Sequence, residues 1–182
     1  MIDLITVMAL ITVTWALTGA AMVGVGAAVM RAVGDTPTNA THWLLAFWAG
    51  LALWTGALQV WHFIAPVNAA ATWALYGLGV AGLLWAARAF PKTLWRAVRE
   101  HHALTALFLL ILGFAANNAI LQPVRYDTGL YQIQSFMWTN TYPIVPGLGN
   151  LHGRLAFNNS FHIVIAALNH ALPLGGRGMH LA

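Results

Sequence analysis

The chain contains no cysteine and very little charge. The absence of cysteine excludes disulfide bonds, iron–sulfur clusters and thiolate zinc sites, and it leaves the redox state of the compartment undetermined. Charged residues make up only 7% of the 182 residues, whereas hydrophobic residues make up 60%. A water-soluble surface cannot be assembled from this composition, so the sequence predicts an integral membrane protein.

Several hydrophobic runs approach the roughly 20 apolar residues that a spanning helix requires. They predict an all-α, polytopic membrane fold with four to five transmembrane helices in a single membrane domain, 1–182. The predicted transmembrane segments are 2–30, 42–65, 69–90, 103–120 and 155–171. An extracytoplasmic loop, 121–154, is predicted to combine an interfacial helix with a region rich in proline and glycine. The chain ends without a basic anchor or closing helix, which indicates a C-terminally truncated piece of a longer protein.

Half of the basic residues lie in one short segment that runs from the end of the third predicted helix toward the fourth. They are Arg88, Lys92, Arg96 and Arg99. Because basic loops are retained on the cytoplasmic side, this cluster predicts an extracytoplasmic N-terminus and an extracytoplasmic 121–154 loop. The cluster is therefore interpreted as a topology signal, and no nucleic-acid partner is expected.

Polar residues within the predicted helices concentrate toward the extracytoplasmic side. Gln59 and His62 share one face of the second helix, and Asn117 and Asn118 lie near the outer end of the fourth. Such residues indicate either hydrogen bonds between helices or a cavity that opens to the outer leaflet. The histidines do not pair at matching depths in the membrane, which disfavours haem or metal ligation in the bundle.

One acidic residue, Asp127, lies close to several cations after the fourth helix. Arg125 precedes it, and His152 and Arg154 follow in a glycine-rich loop. A carboxylate in this setting could accept a proton, orient a hydroxyl or bind a divalent cation, and the guanidinium groups could bind phosphate oxygens. A salt bridge that stabilises the loop explains the same residues equally well. No cofactor site is evident.

The segment 126–142 mixes polar and aromatic residues and is too polar to span a membrane. Its apolar residues recur at helical spacing, at Leu130, Ile133 and Met137, and its polar residues fall on another face, at Gln132, Ser135 and Thr139. This pattern, with Tyr131, Trp138 and Tyr142 suited to the headgroup region, predicts a helix that lies in the membrane interface.

Two stretches of this region carry a family resemblance: YDTGLYQ from Tyr126 to Gln132, and YPIVPGLGNLHGRLAFNNS from Tyr142 to Ser160. Together they resemble a segment of an uncharacterised bacterial family of multi-spanning membrane proteins, named after a Leptospira member and found at surface-polysaccharide loci. That family is similar, more distantly, to the GT-C type glycosyltransferases that use polyprenyl-phosphate sugars. Many of those enzymes have two adjacent acids where this chain has Asp127 and Thr128.

The resemblance implies a glycosyltransferase-like protein of cell-surface polysaccharide assembly in the bacterial inner membrane, acting at the extracytoplasmic face. It implies membrane lipid and a polyprenyl-phosphate-linked sugar as partners, and Asp127 as the catalytic residue. The implied substrate-binding residues are Arg125, Tyr131, Asn150, His152, Arg154, Asn158 and Asn159. Two alternatives remain open, namely a transporter or flippase for a lipid-linked saccharide and a non-catalytic membrane subunit.

Overall fold

The computed structural model describes residues 3–121, 126–156, 159–171, 173–174 and 176–181, and within them the regular secondary structure is entirely helical. The predicted all-α class is therefore confirmed. The α-helices are α1 (Leu4–Ala32), α2 (Ala40–His62), α3 (Ala69–Ala86), α4 (Phe90–Glu100), α5 (His102–Ala119), α6 (Ile133–Thr141), α7 (Leu148–Leu151), α8 (Ser160–Leu168) and α9 (Gly178–Leu181). A π-helical turn, Thr128–Gln132, precedes α6, and a 3-10 turn, Gly153–Ala156, follows α7.

Four of these helices, α1, α2, α3 and α5, are long and apolar enough to cross a membrane. By length and composition, these helices are compatible with a multi-pass helical membrane protein. Within the segment predicted as 155–171, Ser160–Leu168 forms α8, a helix of nine residues that begins where the Asn159 side chain accepts a hydrogen bond from the Phe161 N–H. A helix of that length rises about 13.5 Å, which is too short to span a bilayer alone.

The chain divides into two compact units. Unit 1 comprises Met1–Leu53 and Leu75–Ile120, and unit 2 comprises Trp54–Ala74 and Leu121–Ala182. Unit 1 therefore contains α1, α4 and α5 with the first part of α2 and the last part of α3. Unit 2 contains the remaining parts of α2 and α3 and every helix from α6 onward.

Unit 1 is held by the close approach of helix backbones at small residues. A methyl group on Gly26 of α1 would overlap the carbonyl oxygen of Ala46 in α2, and one on Gly24 would overlap the carbonyl oxygen of Gly79 in α3. Glycines at such positions let membrane helices pack with their backbones in contact. The surrounding buried cluster consists of Val23, Ala27, Trp43, Ala46, Ala86 and Ala87.

Unit 2 is held by polar side chains that reach the backbone of neighbouring segments. The Asn140 amide of α6 donates to the carbonyl oxygens of Val67 at 2.6 Å and of Ala166 in α8 at 2.9 Å. The Thr72 hydroxyl of α3 lies 3.2 Å from the carbonyl oxygen of Ala167. These bonds fix α6 and α8 against the end of α2 and the start of α3, and this arrangement forms the walls of a cavity.

Candidate functional site

Unit 2 contains a cavity of about 420 Å³ between the end of α2, α6, α8 and the loop that follows α6. Its polar lining residues are Gln59, His62, Ser135, Thr139, Asn159, Ser160 and His162. Its apolar lining residues include Phe63, Trp138, Ile144, Val145, Leu148, Leu155 and Ile163. Small-molecule sites have this size and this combination of apolar walls with a few polar groups.

Two residues of α2 connect the walls of the cavity. The Gln59 side-chain amide donates to the Ser160 hydroxyl at the start of α8, at 2.9 Å. The His62 carbonyl accepts from the Ile144 N–H at 2.9 Å, and the His62 Nε2 lies 3.1 Å from the Tyr142 carbonyl oxygen. Because a carbonyl oxygen only accepts, Nε2 carries the hydrogen, and Nδ1 of a neutral ring is left as an acceptor. Gln59 and His62 thus line a cavity and also bond helices and loops together.

His162 is the most deeply buried polar residue in the cavity wall. Its side chain lies on α8 and is only 7% exposed. Its ring packs edge to face against Tyr131 with the centroids 6.2 Å apart, and within the described part of the chain its imidazole makes no hydrogen bond. Burial lowers the pKa of His162, so the ring is neutral at pH 7. A neutral imidazole of this kind can donate a hydrogen bond to a ligand and accept one from it.

Asp127 and Arg154 form an ion pair, and Arg154 also contacts the Tyr131 ring, which packs against His162 in the cavity wall. The Arg154 guanidinium donates to Asp127 Oδ1 at 2.6 Å, and both side chains are about half-exposed. The Arg154 Cζ lies 5.4 Å from the centroid of the Tyr131 ring, which in turn contacts His162. Asp127 immediately precedes the π-helical turn, a local irregularity that is frequent at functional sites. Among the described residues, no group of three or more His, Asp or Glu side chains could hold a metal ion.

In the glycine-rich loop, several backbone N–H groups already donate hydrogen bonds to acceptors within the loop. The N–H of Asn150 donates to the Gly147 carbonyl at 2.9 Å, and the N–H of His152 donates to the Leu148 carbonyl at 3.2 Å. The N–H of Arg154 donates to Nδ1 of His152 at 3.3 Å. A bound anion would therefore meet the Arg154 side chain before these amides.

The other predicted residues are distributed unevenly around this site. Asn159 lines the cavity, and its side chain also accepts the bond that begins α8. Asn150 and His152 are exposed and do not line the cavity. Arg125 and Asn158 lie outside the described residues. The two asparagines of the fourth span, Asn117 and Asn118, belong to unit 1, where the Asn118 amide donates to the Phe114 carbonyl of its own helix at 2.9 Å.

Several cavity residues were not predicted as a site, although the sequence carries a signal for part of them. Ser135, Trp138 and Thr139 follow Tyr131 at intervals of four, seven and eight residues, which is the spacing of one helix face. Ser135, Trp138 and Thr139 line the cavity, whereas the sequence pattern predicts Trp138 in the headgroup region. His162 carries no comparable signal, because a single histidine within an apolar run does not reveal which side chains surround it.

Comparison with known proteins yields one family. A family model described as Domain of unknown function (DUF8201) matches residues 8–178, which is nearly the whole chain. No curated protein and no solved structure matches. The description of the family names no activity, so the geometry of unit 2 is the basis for a functional proposal.

Proposed function

The chain belongs to the DUF8201 family, and we propose that it is a glycosyltransferase-like membrane protein that binds a lipid-linked sugar in the cavity of unit 2. The observation that carries the proposal is the mixed polar and aromatic cavity, with the Asp127–Arg154 ion pair joined to its wall through Tyr131 and His162. The proposed setting is cell-surface polysaccharide assembly at the extracytoplasmic face of the bacterial inner membrane, with the N-terminus on that face.

The lining of the cavity is suited to a saccharide. A sugar presents apolar C–H faces, which pack on aromatic rings, and a rim of hydroxyls that both donate and accept hydrogen bonds. Trp138 offers the ring, and Gln59, Asn159 and His162 offer groups for the hydroxyls. The neutral state of His162 favours this role, since an uncharged ring serves as donor at one nitrogen and acceptor at the other.

The apolar side of the cavity supplies a route for a polyprenyl tail. Phe63 and Ile144 line the cavity and are also 70% and 43% exposed at the protein surface. In a membrane-spanning protein, an apolar surface that continues into a cavity lets a lipid enter from the side while its polar headgroup occupies the interior. The sugar and phosphate would then lie among the polar lining residues.

In the proposed transfer, the acceptor hydroxyl oxygen bonds to the anomeric carbon while the bond from that carbon to the phosphate oxygen breaks. The phosphate leaves with the electron pair, and the acceptor proton passes to Asp127. Arg154 neutralises the charge that develops on the phosphate, and the Tyr131 ring holds its guanidinium in place. Substrate binding must therefore separate the ion pair, so that Asp127 meets the hydroxyl and Arg154 meets the phosphate.

The experiment that tests the proposal compares lipid-linked glycan in cells that carry the wild-type gene, Asp127→Asn or Glu100→Gln. Asp127→Asn keeps the size of the side chain but removes the proton acceptor, so undecorated acceptor should accumulate and transfer should fall at least about a hundredfold. Glu100→Gln removes an exposed carboxylate of α4 in unit 1 and should behave as wild type. Equal transfer by Asp127→Asn, at equal membrane abundance, would overturn the assignment.

A direct binding measurement distinguishes a glycosyltransferase from a protein that binds the lipid-linked sugar without transferring it. Purified protein is titrated with a short-chain polyprenyl-phosphate sugar, and Trp138→Ala should weaken binding about tenfold, the value of one aromatic contact. Trp48→Ala, which removes an exposed tryptophan of α2 in unit 1, is the matched control. Binding that depends on Trp138 without any transfer would favour the transporter or the non-catalytic subunit over the enzyme.

A further inference from the structure

Helix α4 is tied to the membrane surface by its neighbours. Residues 87–89 separate it from the candidate span α3, and His101 alone separates it from the candidate span α5. A linker of three residues reaches at most about 11 Å. Because α3 ends and α5 begins at a membrane boundary, α4 lies at that same boundary.

The sequence of α4 divides into a basic face and an apolar face. At 100° per residue, Lys92, Arg96 and Arg99 fall within about 60° of one another around the helix axis. The opposite face carries Phe90, Leu94, Ala97 and Val98. A helix with this division, placed at a membrane boundary, is suited to lie along the interface with its apolar face toward the acyl chains.

The protein covers only part of the apolar face. The Phe90 ring packs against Trp43 in the core of unit 1, with the centroids 5.2 Å apart. Leu94, at the centre of the same face, remains 53% exposed, and Trp95 is 58% exposed. Trp95 lies where the apolar and basic faces meet, and the Arg99 Cζ lies 4.8 Å from its ring centroid. Tryptophan prefers this depth, between headgroups and acyl chains.

The basic groups of α4 are available, whereas the cations next to it are engaged by the protein. Arg31 contacts the Trp85 carbonyl and stacks on the Trp85 ring, and Arg88 donates through Nε to the Leu84 carbonyl at 2.8 Å. Within the part of the chain that the structure describes, the side chains of Lys92 and Arg96 form no hydrogen bond and no ion pair. Their charges are free to attract an anion.

We infer that α4 binds anionic phospholipid, with the phosphate against Lys92, Arg96 and Arg99 and the acyl chains against Leu94 and Trp95. The charge is complementary to an anionic leaflet. A free phosphate ion would satisfy the basic face but would make no contact with Leu94 or Trp95, so the juxtaposition of both faces favours the lipid. The inference is independent of the sugar-transfer proposal, because it concerns only residues of unit 1.

The test uses the purified full chain in a neutral detergent, with lipid retention measured by native mass spectrometry. Phosphatidylglycerol or phosphatidylcholine is titrated into wild type, Lys92→Gln/Arg96→Gln/Arg99→Gln and Leu94→Ser. Wild type should retain phosphatidylglycerol preferentially. Each lost charge should lower its retention about fivefold, and the triple variant about a hundredfold. Leu94→Ser should lower the retention of both lipids. Equal retention of the two lipids by wild type would overturn the inference.

A matched single-charge comparison locates the site. Arg96 and Arg177 are both exposed, and Arg177 belongs to unit 2. Arg96→Gln should lower the retention of phosphatidylglycerol about fivefold, and Arg177→Gln should leave it unchanged. Equal losses in the two variants would show only general charge attraction and would contradict a site on α4. This pair also keeps the inference testable if the triple variant fails to fold.

Competition at constant ionic strength separates a lipid site from a phosphate site. Replacing sodium chloride with sodium phosphate should leave phosphatidylglycerol bound, because phosphate cannot replace the acyl contacts of Leu94 and Trp95. Full displacement by phosphate would overturn the lipid assignment in favour of a simple anion site.

Discussion

In unit 1, α1 meets α2 backbone to backbone at Gly26 and Gly50, whereas in unit 2 the Asn140 amide joins α6 to two neighbouring backbones. Both solutions suit a membrane, where apolar burial does not distinguish a neighbouring helix from lipid. Close backbone contact leaves no room for a ligand. Polar side chains that extend between helices bond the helices to each other and also keep a distance between their backbones. The cavity lies in the unit that uses the polar solution.

The largest effect is expected from filling the backbone contact of unit 1. Gly26→Leu places a side chain where the Ala46 carbonyl and the Gly50 N–H already lie, so α1 and α2 must separate. We expect a loss of at least about 3 kcal/mol and little folded protein, since backbone on the opposing helix cannot move aside as a flexible side chain can. The measurement is the monodisperse fraction in detergent after heating.

Gly113→Leu is the control for this prediction. Gly113 is a helical glycine of the same unit, and a methyl group there would meet nothing within 4 Å. It should fold at wild-type yield. Equal loss for the two variants would mean that the helices are insensitive to their contacts and would contradict the account of unit 1.

Removal of the Asn140 amide should be the second largest effect. Asn140→Ala leaves the Val67 and Ala166 carbonyls without this donor, and it removes the acceptor of the Asn169 amide. Interhelical bonds of this kind contribute about 0.6 kcal/mol each on average, so a loss of about 2 kcal/mol is expected. Unfolding by sodium dodecyl sulfate measures it. Asn118→Ala, which removes a bond within one helix, should cost less than about 0.5 kcal/mol.

The pH dependence of unit 2 should reveal the buried imidazole. Burial lowers the pKa of His162 below its ordinary 6.5, so the unfolded chain takes up this proton at a higher pH than the folded chain. Stability should therefore fall as the pH drops from about 6.5 to the lowered pKa. It should be independent of this group above 6.5. Detergent unfolding of His162→Gln between pH 5 and 8 should show a flatter profile than wild type, and parallel profiles would contradict a neutral buried ring.

The smallest effect should come from a polar contact in unit 1. The Tyr76 hydroxyl lies 2.6 Å from the Thr18 hydroxyl, between α3 and α1. Tyr76→Phe should cost about 0.6 kcal/mol, because the backbone contacts at Gly24 and Gly79 stay intact. The same unfolding assay checks it. A loss as large as that of Asn140→Ala would mean that unit 1 also depends on polar bonds and would remove the contrast between the units.

Much of the helical framework follows from the sequence. The predicted spans 2–30, 42–65 and 103–120 correspond to α1, α2 and α5 with ends shifted by a few residues. The third helix is shorter than the predicted span 69–90. It ends at Ala86, and a separate helix, α4, begins at Phe90 with Pro91 in its first turn. From the sequence, the basic stretch indicates only a topology signal. Its division into two faces identifies it as a separate helix.

The candidate site was less accessible to prediction than the framework. Asp127 and Arg154, which the sequence singled out together, form an ion pair 27 positions apart. Arg125 and Asn158 lie outside the described residues, and Asn150 is exposed beyond the cavity lining. Ser160 meets Gln59 across 101 positions. A pair so distant in sequence leaves no periodic trace, because its contact depends on how whole helices pack.

The amino-acid sequence by itself determined the helical membrane class, since hydrophobicity over about 20 residues decides whether a segment can leave water. It also determined the two-faced pattern of α4 and the polar character of the region after α5. Only the tertiary structure decided that Gln59, Trp138 and His162 surround one cavity and that the Arg154 partner of Asp127 contacts the Tyr131 ring, which packs against His162. The physical reason is that hydrophobicity acts locally along the chain, whereas a cavity exists only where separate segments pack around a space.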